Sequence, residues 1–162
     1  TRWFNQQYLR SKSKKYLAEN LQVILKENGV DKDDNFVVKV CEQLKERATF
    51  VKDMWEEGKY YFVAPTSYDE KTIRKKWKKD TPNLLSEFKN RIEVISDFSS
   101  ENIESEFKSF LEAQELGMGK LLPALRISLT GIGMGPSLFD IASLLGKEET
   151  IKRIQNALEK IN

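Results

Sequence analysis

The chain has 162 residues, 40% of them hydrophobic and 32% charged, with only 8 glycines and 4 prolines, a make-up that excludes disorder and collagen-like repeats and fits one globular domain or two small ones. It has no histidine, one cysteine (Cys41) and a formal net charge of +2. Imidazole relays, histidine-ligated or cysteine-clustered metals and intramolecular disulfides are therefore excluded, and the cysteine usage fits a reducing cytoplasm. No run approaches the roughly 20 apolar residues of a membrane span, and Thr1-Arg2 lacks the order of a signal peptide, so a cytoplasmic protein with no membrane contact is expected. The start at Thr1 and the immediate aromatic pair Trp3-Phe4 read as a chain cut from something longer, with any catalytic part upstream.

Taken in chain order, Leu17, Leu21, Ile24 and Leu25 repeat on one helical face and stop before Gly29, which suits the left-handed residue after a helix. Val37, Val40, Cys41, Leu44 and Ala48 predict a second helix from about Asp33 into the Arg47 region, and a shorter one ends at Gly58. Tyr60 to Pro65 is a short run of strand-like composition with no visible partner, read as an aromatic hinge between two helical subdomains. Ser67 with Glu70, and Ser137 with Asp140, have capping-box spacing, and Thr81-Pro82 places Pro at the first turn of a helix. Ile103, Phe107, Phe110 and Leu111, then Ile151, Ile154, Leu158 and Ile161, give later one-faced stripes. An all-α fold follows, divided into residues 1–64 and 65–162.

Three features invite a functional reading. Between Lys71 and Lys79 lie the bases Lys71, Arg74, Lys75, Lys76, Lys78 and Lys79 around Trp77; such a run tracks a phosphate backbone, or it is a solvated face with Ile73 and Trp77 turned inward. Gly131 to Pro136 resembles a phosphate loop but lacks both the third glycine of the dinucleotide fingerprint and the Lys of the P-loop. It remains a loop whose backbone a ligand can approach closely, or a plain connection into a helix opening at Pro136, Ser137 and Leu138. Arg126 and Thr130 lie one turn apart, opposite Leu122, Leu125 and Leu129, and are both expected to face away from the core, where an arginine fork can read a base edge. Glu148 and Glu149 diverge around a helix, so no acid/base pair is formed.

Pro123 to Gly131, Gly135-Pro136-Ser137-Leu138-Phe139-Asp140-Ile141 and Leu144-Leu145-Gly146-Lys147-Glu148 together resemble the C-terminal signature of bacterial glutamyl-tRNA synthetases. Trp3 to Leu9 is similar to the segment entering that family's anticodon-binding region, and Lys45-Glu46-Arg47-Ala48 with Tyr60-Tyr61-Phe62 resembles its first helical subdomain. The likeness runs in order along essentially the whole chain. It implies the anticodon-binding part of a class I synthetase, two helical subdomains forming a cage for the tRNA(Glu) anticodon loop. The HIGH and KMSKS signatures of catalysis are missing from these residues, so no catalytic residue, no metal and no cofactor are expected here; ATP and Mg belong to the parent's catalytic domain. The resemblance further implies that Arg126, Gly135, Pro136 and Leu138 line the pocket for the first two anticodon bases and that Arg47 reads the third. Some relatives carry Thr where Gly135 stands, so here that hydroxyl contact cannot be made, and the backbone N–H of Gly135 can serve instead. Arg74, Lys75, Lys76, Lys78 and Lys79 are then candidates for RNA phosphate contacts. The expected partners are tRNA(Glu) and the catalytic and stem-contact domains of the same chain, in a monomer. The rival reading is a helical protein-interaction module, with the glycine loop and aromatic run as partner surfaces.

Overall fold

The computed structural model describes residues 14–45 and 51–161, and among these there are helices and turns but no strand. The chain divides into two compact units, Thr1–Val63 and Ala64–Asn162.

In the first unit, α1 (Lys14–Glu27), α2 (Asp34–Leu44) and α3 (Val51–Gly58) pack through the predicted stripes. Leu17, Leu21 and Leu25 meet Val37, Val40, Cys41 and Leu44 in a fully buried seam. Because α1 must stop before α2 can return against it, Gly29 takes φ 72° and lets the Val30 N–H reach back to the Leu25 carbonyl at 2.9 Å. Asp33 caps α2, its carboxylate accepting from the Phe36 N–H at 2.8 Å. Burial, with the nearby Glu42 carboxylate, pushes the Cys41 thiol up to about 12, so it packs as a small apolar group and stays protonated at neutral pH.

The strand-like aromatic run is a single 3-10 turn, Lys59–Tyr61, continuing α3. It is not a bare linker: Tyr60 and Tyr61 are buried, the Tyr61 hydroxyl donates to Gln43, and the Phe62 ring lies 5.7 Å from Phe36 and 6.2 Å from Trp55. With no neighbouring strand to satisfy the backbone, these large side chains are better used to close the base of the helical unit.

The second unit contains α4 (Glu70–Lys76), α5 (Thr81–Glu93), α6 (Ser100–Ala113), α7 (Met118–Thr130), α8 (Leu138–Leu145) and α9 (Lys147–Lys160). The central element is α7, which touches α4, α5 and α9, and its buried residues accordingly run around the helix rather than along one stripe. Phe88 meets Phe107 edge-on at 5.1 Å, and Phe107 meets Phe139 at 5.6 Å, joining α5, α6 and α8. Each such ring removed from water contributes about 1.5–3 kcal/mol. Buried Ser128 meets its hydrogen-bonding needs within the helix, donating to the Ala124 carbonyl at 2.8 Å.

Two cap expectations are corrected. Asp69, not Ser67, caps α4, because its carboxylate accepts from the Thr72 N–H. Ser137 occupies the cap of α8 but makes no side-chain cap bond, and Asp140 instead accepts from Ser100 Oγ at 2.6 Å, tying α8 to α6.

Candidate nucleic-acid interface

The glycine loop begins where α7 ends. Gly131 takes φ 79° and its N–H donates to the Ile127 carbonyl at 2.8 Å, closing the last turn. Thr130, expected to face outward, is only 6% exposed. Its hydroxyl lies 2.9 Å from the Arg126 carbonyl and 3.1 Å from that of Ile132, and accepts from the Ile132 N–H at 3.2 Å. The helix period places Thr130 beside Arg126, but the loop folds back over the helix end and covers it.

A second anchor lies far along the chain. Arg153, on α9 and 3% exposed, donates from Nη1 to the Leu129 carbonyl at 2.7 Å and from Nε to the Glu149 carboxylate at 2.7 Å. A cation at a helix C-terminus meets both the unsatisfied carbonyls and the negative end of the helix dipole, and the carboxylate balances its burial. Sequence reasoning missed this residue. The available signal was its place in the buried set Thr150, Arg153, Ile154 and Ala157, an arginine in an apolar slot one turn after a glutamate.

The far end of the loop is held by Arg126, which donates from Nη1 to the Pro136 carbonyl at 2.9 Å. Arg126, Gly135 and Pro136 are thus brought together, each half-buried, while Leu138 is 2% exposed and packs into the core. Pro136 and Ser137 precede α8 rather than forming its first turn. Arg47 and Trp3 to Leu9 lie outside the described residues.

The loop rests on the segment leading into the basic helix. The Asp69 N–H donates to the Gly131 carbonyl at 2.9 Å. A Cβ on Gly131 would fall 2.9 Å from both Pro65 Cβ and the Ser67 carbonyl oxygen, and one on Gly133 would fall 2.6 Å from Thr72 Oγ1. Thr72 is itself fixed, its hydroxyl donating to Asp69 at 2.6 Å and its N–H to the same oxygen at 3.0 Å. These two bonds, with help from the charges of Lys71 and Arg74, hold the Asp69 carboxyl below its ordinary range.

Arg74, Lys75, Lys76, Lys78 and Lys79 are all exposed. Ile73 packs on the core and Trp77 is 8% exposed. The run is not one helix, however: Trp77 is extended, and Lys78 and Lys79 lie in the turn into α5, where the Lys78 N–H donates to Thr81 Oγ1 at 2.8 Å. Among the described residues no cluster of acidic, cysteine or histidine side chains is arranged to hold a metal, and no helix is long and apolar enough to cross a membrane.

Residues 10–158 match the anticodon binding domain family model. The chain is 43% identical over 158 residues to a glutamate–tRNA ligase of Phocaeicola vulgatus and 45% identical over 157 residues to that of Flavobacterium psychrophilum, covering 98% and 97% of this chain. It covers only 31% of either relative, so it spans about a third of their length. A crystal structure of a glutamate tRNA ligase from Elizabethkingia meningosepticum, in complex with its amino acid, superposes with a TM-score of 0.94 at 42% identity, over 99% of this chain and 32% of that one. An all-helical chain whose arginine-pinned glycine loop lies beside a run of exposed cations, and which matches one family model from residue 10 to residue 158, belongs to the anticodon-binding domain family.

Proposed function

We propose that this chain is the tRNA-reading part of a glutamate–tRNA ligase of the cytoplasm, and that it grips the anticodon stem-loop of tRNA(Glu) while the rest of the longer protein, using ATP and Mg, joins glutamate to the tRNA. The observation that carries this reading is the Arg126 guanidinium bonded to the Pro136 carbonyl at 2.9 Å, within a chain of the anticodon-binding family. One arm of the fork is committed to the loop, which tethers the guanidinium to the Pro136 carbonyl. A planar donor held in this way can discriminate base edges, which a swinging ammonium cannot. Unpaired loop bases, unlike those of an RNA duplex, offer such edges. In this reading Arg126, Gly135 and Pro136 meet the first two anticodon bases, Leu138 supports the turn from the core, and Arg47 meets the third base. Arg74, Lys75, Lys76, Lys78 and Lys79 meet phosphates.

The test uses the full-length ligase and tRNAs altered at single anticodon positions. Arg126→Ala is expected to cost about 1–3 kcal/mol with the cognate tRNA and to relax discrimination at the first or second base, and Arg47→Gln at the third. Uniform loss across all these tRNAs for both substitutions would show that the arginines only position the RNA.

A further inference from the structure

Two glycines of the loop meet the 65–72 segment: a Cβ on buried Gly131 would press on Pro65 and Ser67, and one on Gly133, itself exposed, would press on Thr72. Ile132 and Met134, between and beyond them, stand 43% and 78% exposed. Neither is used by the reading above.

The residue that Gly133 abuts decides what lies beside them. Thr72 is on α4, and the positions three and four residues further on the same helical face are Lys75 and Lys76, both exposed. Two stretches some sixty positions apart in the sequence are thereby brought together at Thr72, and helical spacing puts a pair of cations one turn along from the point where the loop touches α4. The shared chemistry suits an unpaired nucleotide: a base face sheds water against aliphatic side chains while its phosphates meet ammonium groups. Two side chains make a small apolar patch, whereas a protein partner would need a wider apolar field.

We propose that Ile132 and Met134 are a platform for an unpaired nucleotide flanking the anticodon, with Lys75 and Lys76 on the adjoining phosphates. The proposal rests on the RNA reading given above and adds to it a second subsite.

The experiment titrates tRNA(Glu) anticodon stem-loop RNAs, each carrying 2-aminopurine at one loop position outside the anticodon, with the 162-residue chain. With the unaltered chain, fluorescence is expected to change at one such position. Met134→Ser and Ile132→Ser, both at exposed sites where folding is not at stake, are expected to abolish that change and weaken binding about fivefold, roughly the loss of one or two methylenes' burial, with no effect on the salt dependence. Lys75→Gln and Lys76→Gln should each flatten the slope of log affinity against log salt by about 0.7–1. Gly133→Ala should weaken binding as Met134→Ser does, and adding Thr72→Ala, which removes the oxygen 2.6 Å from the new Cβ, should restore it. Ser variants that titrate like the unaltered chain overturn the proposal while the RNA reading stands, and lysine variants that leave the slope unchanged overturn it together with the phosphate contacts assigned to Lys75 and Lys76 above. An unaltered chain that does not bind the stem-loop overturns both.

Discussion

Gly29 and Gly131 end helices in the same way, with φ 72° and 79°, yet their surroundings differ. A Cβ at Gly29 would meet nothing within 4 Å, whereas at Gly131 it would press on Pro65 and on the backbone oxygen of Ser67. At the end of α1 the glycine answers only to the handedness of the backbone. At the end of α7 it also lets two chain segments touch, and that contact is where the candidate interface is assembled.

Substitution of Gly131 should break the comparison most strongly. Gly131→Ala forces an L-residue into left-handed backbone and drives its methyl against a carbonyl that cannot rotate away, so a loss of about 3 kcal/mol is expected. Urea unfolding monitored by circular dichroism would measure it. Gly29→Ala meets only the backbone penalty and should lose about 1 kcal/mol in the same assay; equal losses would mean that the loop yields and its seating is not tight. The smallest effect sharpens the argument from the opposite side. Glu115 takes φ 56° at the end of α6, where the Leu116 N–H reaches back to the Leu111 carbonyl at 2.9 Å, the turn that Gly29 makes after α1. Glu115→Gly should therefore stabilise by about 0.5–1 kcal/mol, read as a small rise in the urea midpoint.

The helices were legible because burial imposes a local period: the stripes of α1, α2 and α6 lie on the faces that the structure buries, whereas in α9 Ile151 and Leu158 are only half-buried and the buried face turns toward Thr150, Arg153, Ile154 and Ala157. Helix α7 was harder, since contacts with α4, α5 and α9 leave it apolar nearly all round, and an assignment of Thr130 to an outer face had nothing local to correct it. Caps failed where two polar residues competed. Asp69 stands nearer the Thr72 N–H than Ser67 does in the chain, and Asp140 had a better partner in Ser100, forty residues away. Arg126 and the Gly131 to Pro136 loop stood out by pattern, their base-reading roles came through resemblance, and the bond from Arg126 to Pro136 had no signature in spacing. The docking of the glycine loop on Asp69 and Thr72 was likewise hidden, because each segment read alone is an ordinary connection, and only the missing room for a Cβ reveals that they fit.

Arg153 has a consequence for the order in which the molecule is made. Its bond to the Leu129 carbonyl spans 24 residues and runs from α9 back to the turn from which the glycine loop departs. A ribosome releases α7 and the loop well before α9, so through that interval the terminal carbonyls of α7 have water, not a guanidinium, as their partner. The Leu129 carbonyl acquires its guanidinium partner only when α9 folds back, and the same step completes the helical core, to which Ile154, Ala157 and Ile161 belong.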